Sequence, residues 1–206
     1  METLKVPDLE KCYEILKTEG VPSHIIRHSE KVALISGVLG SALIEKGEDL
    51  DLQLLVAGGL LHDVKKFATL KTGENHAKAG ERFIKELGYK EVARIVGAHV
   101  FFKPRKPYNK VWPEEIVFYA DKRVKHEEIV SLDERFEDLI LRYGKTEKRV
   151  ARINFLYRFS KRIEKKIFGK LSFSPASLQK LNQIKEAKDA LKKCLESGSS
   201  CWRHLI

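Results

Sequence analysis

Residues 54–66 read LLVAGGLLHDVKK, and this stretch decides the fold because an apolar run ends in two polar side chains. The run from Leu54 to Leu61 is far shorter than the roughly 20 residues of a membrane-spanning helix. We therefore expect a buried helix here and no transmembrane segment. His62 and Asp63 follow it directly. A carboxylate buried alone costs several kcal/mol, so Asp63 needs a compensating charge nearby.

Apolar residues outside this stretch also recur at helical spacing, which predicts an all-α protein. In the segment after Pro22, for example, His28 shares one helical face with Val32 and Ile35. No segment alternates apolar and polar residues between hairpin turns, so we expect no sheet. We predict helices at residues 8–19, 23–46, 50–62, 76–87, 90–100, 113 to beyond 121, 131–143, 146–168 and 175–196.

The composition is that of a globular protein, and its charge is concentrated near the C-terminus. The 206 residues include 39 Lys and Arg against 29 Asp and Glu, a net charge of +10. Residues 142–170 alone hold eleven basic side chains against two Glu. We therefore divide the chain into a core domain, residues 1–130, and a basic C-terminal helical extension, residues 131–206, that packs on the core. The basic face is either a solvated surface or a contact for nucleic acid or an acidic partner.

The N-terminal segment and the cysteines indicate the cellular compartment of the protein. Residues 1–16 lack the apolar core of a signal peptide, so we expect a cytoplasmic protein. Cys12 lies far from Cys194 and Cys201, and no CxxC pair occurs, so we expect reduced thiols rather than a disulfide framework. The sequence contains no glycine-rich loop of the P-loop or dinucleotide-binding type, which excludes those two classes.

Histidines and aspartates occupy positions where the helical pattern expects apolar residues. His28, His99 and Asp121 each lie on an apolar face, and His62 and Asp63 end another. A single histidine of this kind is more often a hydrogen-bonded core residue. Four helices that each place a ligand-type residue on a buried face instead favour a shared metal ion, which compensates both carboxylates. Imidazoles and carboxylates together suit iron, manganese, cobalt, nickel or zinc.

In order and approximate spacing, these residues resemble the HD-domain metal-dependent phosphohydrolases. The resemblance covers about residues 25–124 and rests on His28, LLHD at residues 60–63, His76, His99 and YAD at residues 119–121. It implies an HD-domain helical bundle and one or two bound divalent transition-metal ions. The metal ligands that it implies are His28, His62, Asp63, His76, His99 and Asp121. His76 and His99 match the two further ligands of the two-metal branch, in which the position of Asp63 bridges the ions.

The lysines after the His-Asp pair are the first candidates for binding phosphate. The family signature often reads HDIGK, whereas residues 62–66 read HDVKK, which keeps the last lysine as Lys66 and replaces the glycine by Lys65. The loop after His99 is also basic and offers three aromatic residues, Phe101, Phe102 and Tyr108, on which a base can stack. We predict that the substrate's phosphate is bound by Lys65, Lys66, Lys103 and Arg105.

The resemblance and the ligand set imply a metal-dependent phosphohydrolase. Its substrate is expected to be a phosphoester or phosphoanhydride of a nucleotide or related small phosphorylated compound, attacked by a metal-activated hydroxide. Asp63 and Lys66 are the candidate catalytic residues. The chain looks most like the stand-alone hydrolases of dinucleoside polyphosphates, and the Gly-Tyr-Pro element of the cyclic-dinucleotide branch is absent.

A second interpretation makes the protein a non-catalytic module that binds a nucleotide or RNA through the HD core and the basic C-terminal helix. Nucleic acid is the less favoured partner, because the sequence contains no recognised nucleic-acid-binding motif. No membrane partner is expected, and the sequence leaves the oligomeric state open.

Overall fold

The structure, a computed structural model, describes residues 5–206. Residues 1–4, which open the segment expected to lack a signal core, lie outside the described residues. Within residues 5–206 no helix is both long and apolar enough to cross a bilayer. The helices of this part are α1 (Leu9–Thr18), α2 (Ser23–Glu45), α3 (Leu52–Leu61), α4 (Lys66–Thr69), α5 (His76–Glu86), α6 (Lys90–Ala98), α7 (Pro113–Lys122), α8 (Leu132–Tyr143), α9 (Glu147–Phe168), α10 (Ala187–Ser197) and α11 (Trp202–Leu205).

Cap residues determine where the helices that carry the candidate metal ligands begin. Asp51 accepts a hydrogen bond from the Leu54 N–H at 2.9 Å at the start of α3. Asn75 accepts one from the Lys78 N–H at 3.1 Å at the start of α5. Pro113 opens α7, where its missing N–H costs nothing. These residue types satisfy or remove the free N–H groups of a first helical turn.

Helix α2 forms the centre of the core. Every residue from Val32 to Leu43 is buried, and the helix packs against α3, α7 and α10. A helix that is buried on every side has to be surrounded by other elements. Gly59 allows α3 to approach α2 closely, since a Cβ at this position would lie 2.6 Å from the Cα of Ala33.

The all-α prediction is confirmed, with local differences. A small antiparallel hairpin, β1 (Val124–Lys125) with β2 (Glu128–Ile129), was not expected. His126 turns this hairpin with a positive φ of 55°, which the apolar pattern cannot reveal. The polar connection after Asp63 contains the short helix α4, and the predicted helix over residues 175–196 is two elements. Ile184 is extended between the 3₁₀ segment Pro175–Gln183 and α10.

The prediction of reduced thiols is wrong for one pair of cysteines. Cys194 and Cys201 form a disulfide with a Cα–Cα distance of 4.7 Å. Gly198 ends α10 with a positive φ of 57°, and the turn returns the chain toward the helix. Sequence spacing alone did not reveal this reversal. Cys12 is buried and free. The cytoplasmic location stays a prediction.

The segments on either side of residue 130 share one core. Arg123 is fully buried and donates hydrogen bonds to the carbonyl of Val130 at 2.6 Å and to that of Pro175 at 3.1 Å. Its guanidinium also donates to the hydroxyl of Tyr119, which in turn donates to Glu164 at 2.7 Å. Leucines of the C-terminal part are completely buried in the same cluster: Leu178, Leu181 and Leu191. The division at residue 130 stays a prediction.

Candidate metal centre

The ends of several helices converge on one cluster of histidine and aspartate side chains. His28 lies on the buried face of α2, and Asp121 lies in the last turn of α7. The remaining candidate ligands stand directly at helix ends: His62 and Asp63 follow α3, His76 opens α5, and His99 follows α6. All of these side chains except His76 are buried in the core.

Two groups of ligand-type side chains share Asp63. In the group His28, His62 and Asp63, and in the group Asp63, His76 and His99, one ligand atom of each residue lies within 4.8 Å of the others. The Oδ2 atom of Asp63 faces the first group, at 3.3 Å from Nε2 of His62. Its Oδ1 atom faces the second group, at 3.4 Å from Nε2 of His76 and 3.5 Å from Nε2 of His99. A carboxylate with one oxygen toward each group has the geometry of a bridging ligand.

Asp121 joins the first of these groups. Its Oδ1 atom lies 3.2 Å from Nε2 of His28 and 3.6 Å from Nε2 of His62. Its Oδ2 atom accepts a hydrogen bond from the neighbouring Lys122, whose ammonium also donates to the carbonyl of His99 at 3.1 Å. Lys122 thus links both groups, a role that the sequence did not suggest.

Backbone carbonyls orient three of the imidazole rings. The Nδ1 atoms of His28, His62 and His99 lie 2.7, 2.8 and 2.6 Å from the carbonyl oxygens of His126, Gly59 and Val96. A carbonyl can only accept, so Nδ1 of each ring donates the hydrogen bond. Nε2 of each ring therefore points into the cluster and is the atom that would ligate a metal ion after losing any proton that it carries.

Two buried polar atoms in the cluster have no hydrogen-bond partner among the described residues. They are Nε2 of His62 and Oδ1 of Asp63. Leaving a buried polar atom unpaired costs about 1–3 kcal/mol, and a cation between the groups removes that cost. Nitrogen and carboxylate oxygen donors suit a divalent transition-metal ion, so the residues fit the cofactor that the ligand pattern implies.

The surroundings of the histidines in the cluster shift their pKa values in opposite directions. Burial disfavours the charged form of His62, but Asp63 and Asp121 outweigh it and raise the pKa of His62 to about 9. Burial lowers the pKa of His76 to about 4 and also lowers that of His99. Although burial acts in the opposite direction, contact with His62 holds the pKa of Asp63 well below its usual range. The carboxylates are therefore anionic, and His76 and His99 are neutral, at neutral pH.

Lys66 is the predicted phosphate-binding residue that the structure places beside the cluster. Its ammonium donates a hydrogen bond to Oδ2 of Asp63 at 2.7 Å. Burial lowers its pKa, but Asp63 and Asp121 outweigh this effect and raise it. Lys66 is therefore protonated at neutral pH. With Asp63 it lines an open cavity of about 400 Å³.

The other three predicted phosphate-binding residues point elsewhere. Lys65 pairs with Glu19, and its ammonium lies 4.0 Å from the ring centroid of Phe83. Arg105 binds Glu114 at 3.1 Å and stacks on Trp112. Lys103 is exposed. The cavity beside Asp63 is lined by other residues: His24, Ile25, His28, Asp63, Lys66, Leu70, His126, Glu127, Arg135, Leu139, Arg142 and Tyr143.

The aromatic residues of the loop after His99 also lie outside this cavity. Phe101 packs against Phe155 of α9 with ring centroids 5.8 Å apart. Phe102 packs edge-on against Phe118 at 5.4 Å, and Tyr108 is exposed. The loop that follows His99 thus packs against the basic helix α9.

Arg135 and Arg142, which the sequence analysis missed, bring positive charge to the cavity from α8. Their seven-residue spacing shows that they share a helical face. Nothing in the sequence shows that this face covers the cluster.

Comparisons with known proteins agree with this geometry. The sequence model of the HD domain family matches residues 25–152, more than half of the chain. An uncharacterized protein of Methanocaldococcus jannaschii is 29% identical over 162 residues, which cover 72% of this chain and 94% of that protein. No solved structure gives a significant match.

Two further relatives match over a smaller part of their length. The tRNA (cytidine(56)-2'-O)-methyltransferase of Picrophilus torridus is 30% identical over 140 residues, 62% of this chain and 39% of that enzyme. Ribonuclease Y of Treponema denticola is 31% identical over 77 residues, 37% of this chain and 14% of that protein. The chain therefore spans well under two thirds of either protein.

Proposed function

The chain belongs to the HD domain family, and on that premise we propose that it is a metal-dependent phosphohydrolase acting on a nucleotide or related small phosphorylated compound. One observation carries the proposal: two ligand groups share Asp63, and two of their buried polar atoms lack a partner among the described residues. A module that only binds its ligand has no need for such a costly arrangement.

The ligand groups suggest sites for two divalent ions. His28, His62, Asp63 and Asp121 would hold the first ion, and Asp63, His76 and His99 the second. When bound, such an ion acts as a Lewis acid that polarises a phosphoryl oxygen and lowers the pKa of water toward neutrality. The donor set allows iron, manganese, cobalt, nickel or zinc.

Asp63 and Lys66 are the residues that we assign to the reaction. The depressed pKa of Asp63 keeps its carboxylate ionised, which suits a ligand better than a proton acceptor. The protonated ammonium of Lys66 lies at the cavity wall, 2.7 Å from Oδ2 of Asp63. From there it is placed to neutralise negative charge that develops on a phosphate oxygen during hydrolysis.

Metal content and phosphate release together test the proposal. Protein purified without chelator is analysed for transition metals and assayed on nucleoside mono-, di- and triphosphates and dinucleoside polyphosphates. We expect up to two equivalents of metal and turnover that Asp63→Ala abolishes. Lys66→Gln is expected to keep the metal and lower kcat about 10²-fold or more, as for loss of one transition-state contact.

The matched control is His204→Ala, which removes an exposed histidine outside the cluster. It should leave both metal content and turnover unchanged. Protein that takes up no added transition metal and releases no phosphate from any compound of the panel would overturn the hydrolase assignment.

RNA binding through α9 is the second candidate function. Six exposed basic side chains on α9 make no ion pair within the described residues: Lys148, Arg149, Arg152, Arg158, Arg162 and Lys165. Phe155, also exposed, stacks parallel to Phe159 on this helix. Basic side chains and exposed aromatic rings together suit a single strand. Two relatives carry the names of a tRNA methyltransferase and a ribonuclease, which supports an RNA partner.

Fluorescence anisotropy with a labelled single-stranded RNA tests this second candidate. If α9 binds RNA, affinity falls steeply as salt is raised, and Arg152→Gln combined with Arg158→Gln weakens binding and reduces the salt slope by about two. A matched double substitution on α1, Lys11→Gln with Lys17→Gln, should change neither. RNA binding without turnover on any substrate would favour this candidate over the hydrolase.

A further inference from the structure

One face of α8 forms a wall of the cavity beside the metal ligands. Arg135, Leu139 and Arg142 all line this cavity together with Asp63 and Lys66. Their spacings of four and seven residues place the α8 side chains on one helical face. The cavity volume of about 400 Å³ lies within the range of ligand sites.

A single carboxylate holds both arginines in place. Oδ2 of Asp138 accepts a hydrogen bond from Nη1 of Arg135 at 3.1 Å and one from Nη2 of Arg142 at 2.6 Å. The Nε atoms of both arginines are buried and have no partner among the described residues. Each guanidinium offers five N–H donors and gives one of them to Asp138, so Nη donors remain for a ligand.

Positive charge exceeds negative charge at this wall. Asp138 balances only one of the two guanidinium groups, and the ammonium of Lys66 pairs with Asp63. The cavity also contains Glu127, whose carboxylate binds Arg27 at 2.6 and 2.9 Å. One guanidinium charge at this wall therefore has no balancing carboxylate among the described residues, which favours an anionic ligand.

We propose that Arg135 and Arg142 bind a second phosphate group of the substrate, next to the one that lies at the metal ligands. Planar guanidinium groups braced by a carboxylate suit bidentate binding of phosphate oxygens. Leu70 and Tyr143, which are 71% and 52% exposed, lie at the same cavity and offer apolar surface to a nucleoside. The substrate class is therefore a nucleotide with two or more phosphates in series. The inference rests on the proposed hydrolase function.

Equilibrium binding separates this role from catalysis. The probes are AMP and adenosine 5′-(α,β-methylene)diphosphate. The second carries one further phosphorus group, joined through a methylene bridge that hydrolysis cannot cleave. Isothermal titration calorimetry on manganese-loaded protein should show tighter binding of the diphosphate. Arg135→Gln and Arg142→Gln should each weaken diphosphate binding about tenfold or more, with a much smaller effect on AMP.

The control is Arg203→Gln, which removes an exposed arginine of α11 that does not line the cavity. It should keep the wild-type preference. Arg135→Lys keeps a charge beside Asp138 and serves if the glutamine variant does not fold. It should still lose much of the preference, because lysine lacks the planar fork. A preference for diphosphate that survives at both positions would overturn the proposal.

The same experiment distinguishes failure of this inference from failure of the hydrolase assignment. Loss of the preference in the α8 variants, with no phosphate released from any substrate by the wild type, would support the phosphate site and refute the hydrolase. Active wild-type protein whose α8 variants keep the preference would refute the phosphate site alone.

Discussion

At the scale of single residues, hydrogen bonds to the backbone select the ring atoms that face the cluster. His62 donates from Nδ1 to the carbonyl of Gly59, three residues earlier in the chain, and His99 does the same to Val96. Both contacts arise because each histidine continues the turn that ends a helix. The Nε2 atoms therefore point into the cluster before any ion binds.

Protonation of His62 should make metal binding depend on pH. In metal-free protein its pKa is raised to about 9, so His62 carries a proton at neutral pH that a metal ion must displace. We expect metal binding at pH 7 to release about one proton, and affinity to rise about tenfold per pH unit up to about pH 9. Calorimetry in buffers of different ionisation enthalpy measures the release.

His76 provides the internal comparison for this prediction. Its pKa is lowered to about 4, so it binds a metal at pH 7 without losing a proton. Metal binding at pH 7 with no proton release, or an affinity that is constant between pH 6 and 8, would contradict the assignment of the proton to His62.

A single histidine substitution should weaken metal binding at one ligand group and leave the other group intact. His28 belongs only to the group on the Oδ2 side of Asp63, and His76 only to the group on the Oδ1 side. We expect His28→Ala and His76→Ala each to retain about one equivalent of metal, since removing a ligand weakens one site and leaves the other intact. Elemental analysis after dialysis measures this. If His76→Ala leaves the metal content of the wild type unchanged, the second site is refuted.

At the scale of helices and strands, close packing of α2 on α3 positions His28 against His62. Gly59 permits this close packing because it has no side chain. A Cβ at this position would lie 2.6 Å from the backbone of Ala33. We expect Gly59→Ala to lower the free energy of unfolding by about 1–3 kcal/mol, since backbone cannot move aside as a flexible side chain can. Chemical denaturation measures the change.

Gly97→Ala is the matched control for the packing of Gly59. It lies in α6, and its added Cβ would meet only the side chain of Glu81, which can rotate away. This substitution should cost little or stabilise by up to about 1 kcal/mol, because alanine favours a helix. Equal losses for both alanine variants would show that helix packing at Gly59 is not the cause.

At the scale of the whole molecule, the C-terminal part and the HD core should unfold together. Arg123 and Glu164 are linked through Tyr119, and Leu178, Leu181 and other C-terminal residues are buried in the same cluster. We therefore expect one cooperative transition. Trp112 lies at the start of α7 and Trp202 in α11, so fluorescence of the single-tryptophan variants reports on each part.

The two tryptophan variants should share one midpoint in urea, equal to the midpoint measured by circular dichroism. Trp112→Phe leaves Trp202 as the only probe, and Trp202→Phe leaves Trp112. Midpoints that differ by more than the error would mean that residues 131–206 form an independent unit.

The sequence by itself determined the helical class, the family and the residues that converge on the cluster. It did so because burying an apolar helical face requires a regular spacing of residues, and a polar residue within that spacing stands out. His28, the pair His62 and Asp63, and Asp121 are all such interruptions. Before residue 170, the ends of every predicted helix lie within a few residues of those that proline, glycine and cap residues indicated.

Only the tertiary structure decided which cations lie beside the cluster. Lys65 and Arg105 are near metal ligands in sequence, yet they bind Glu19 and Glu114, whereas Arg135 and Arg142 line the cavity from a distant helix. Burial imposes no regular sequence spacing on long charged side chains, because they can be solvated in many orientations. Their final position depends on carboxylates that the fold brings near, and that information is contained in the packing of helices rather than in local sequence.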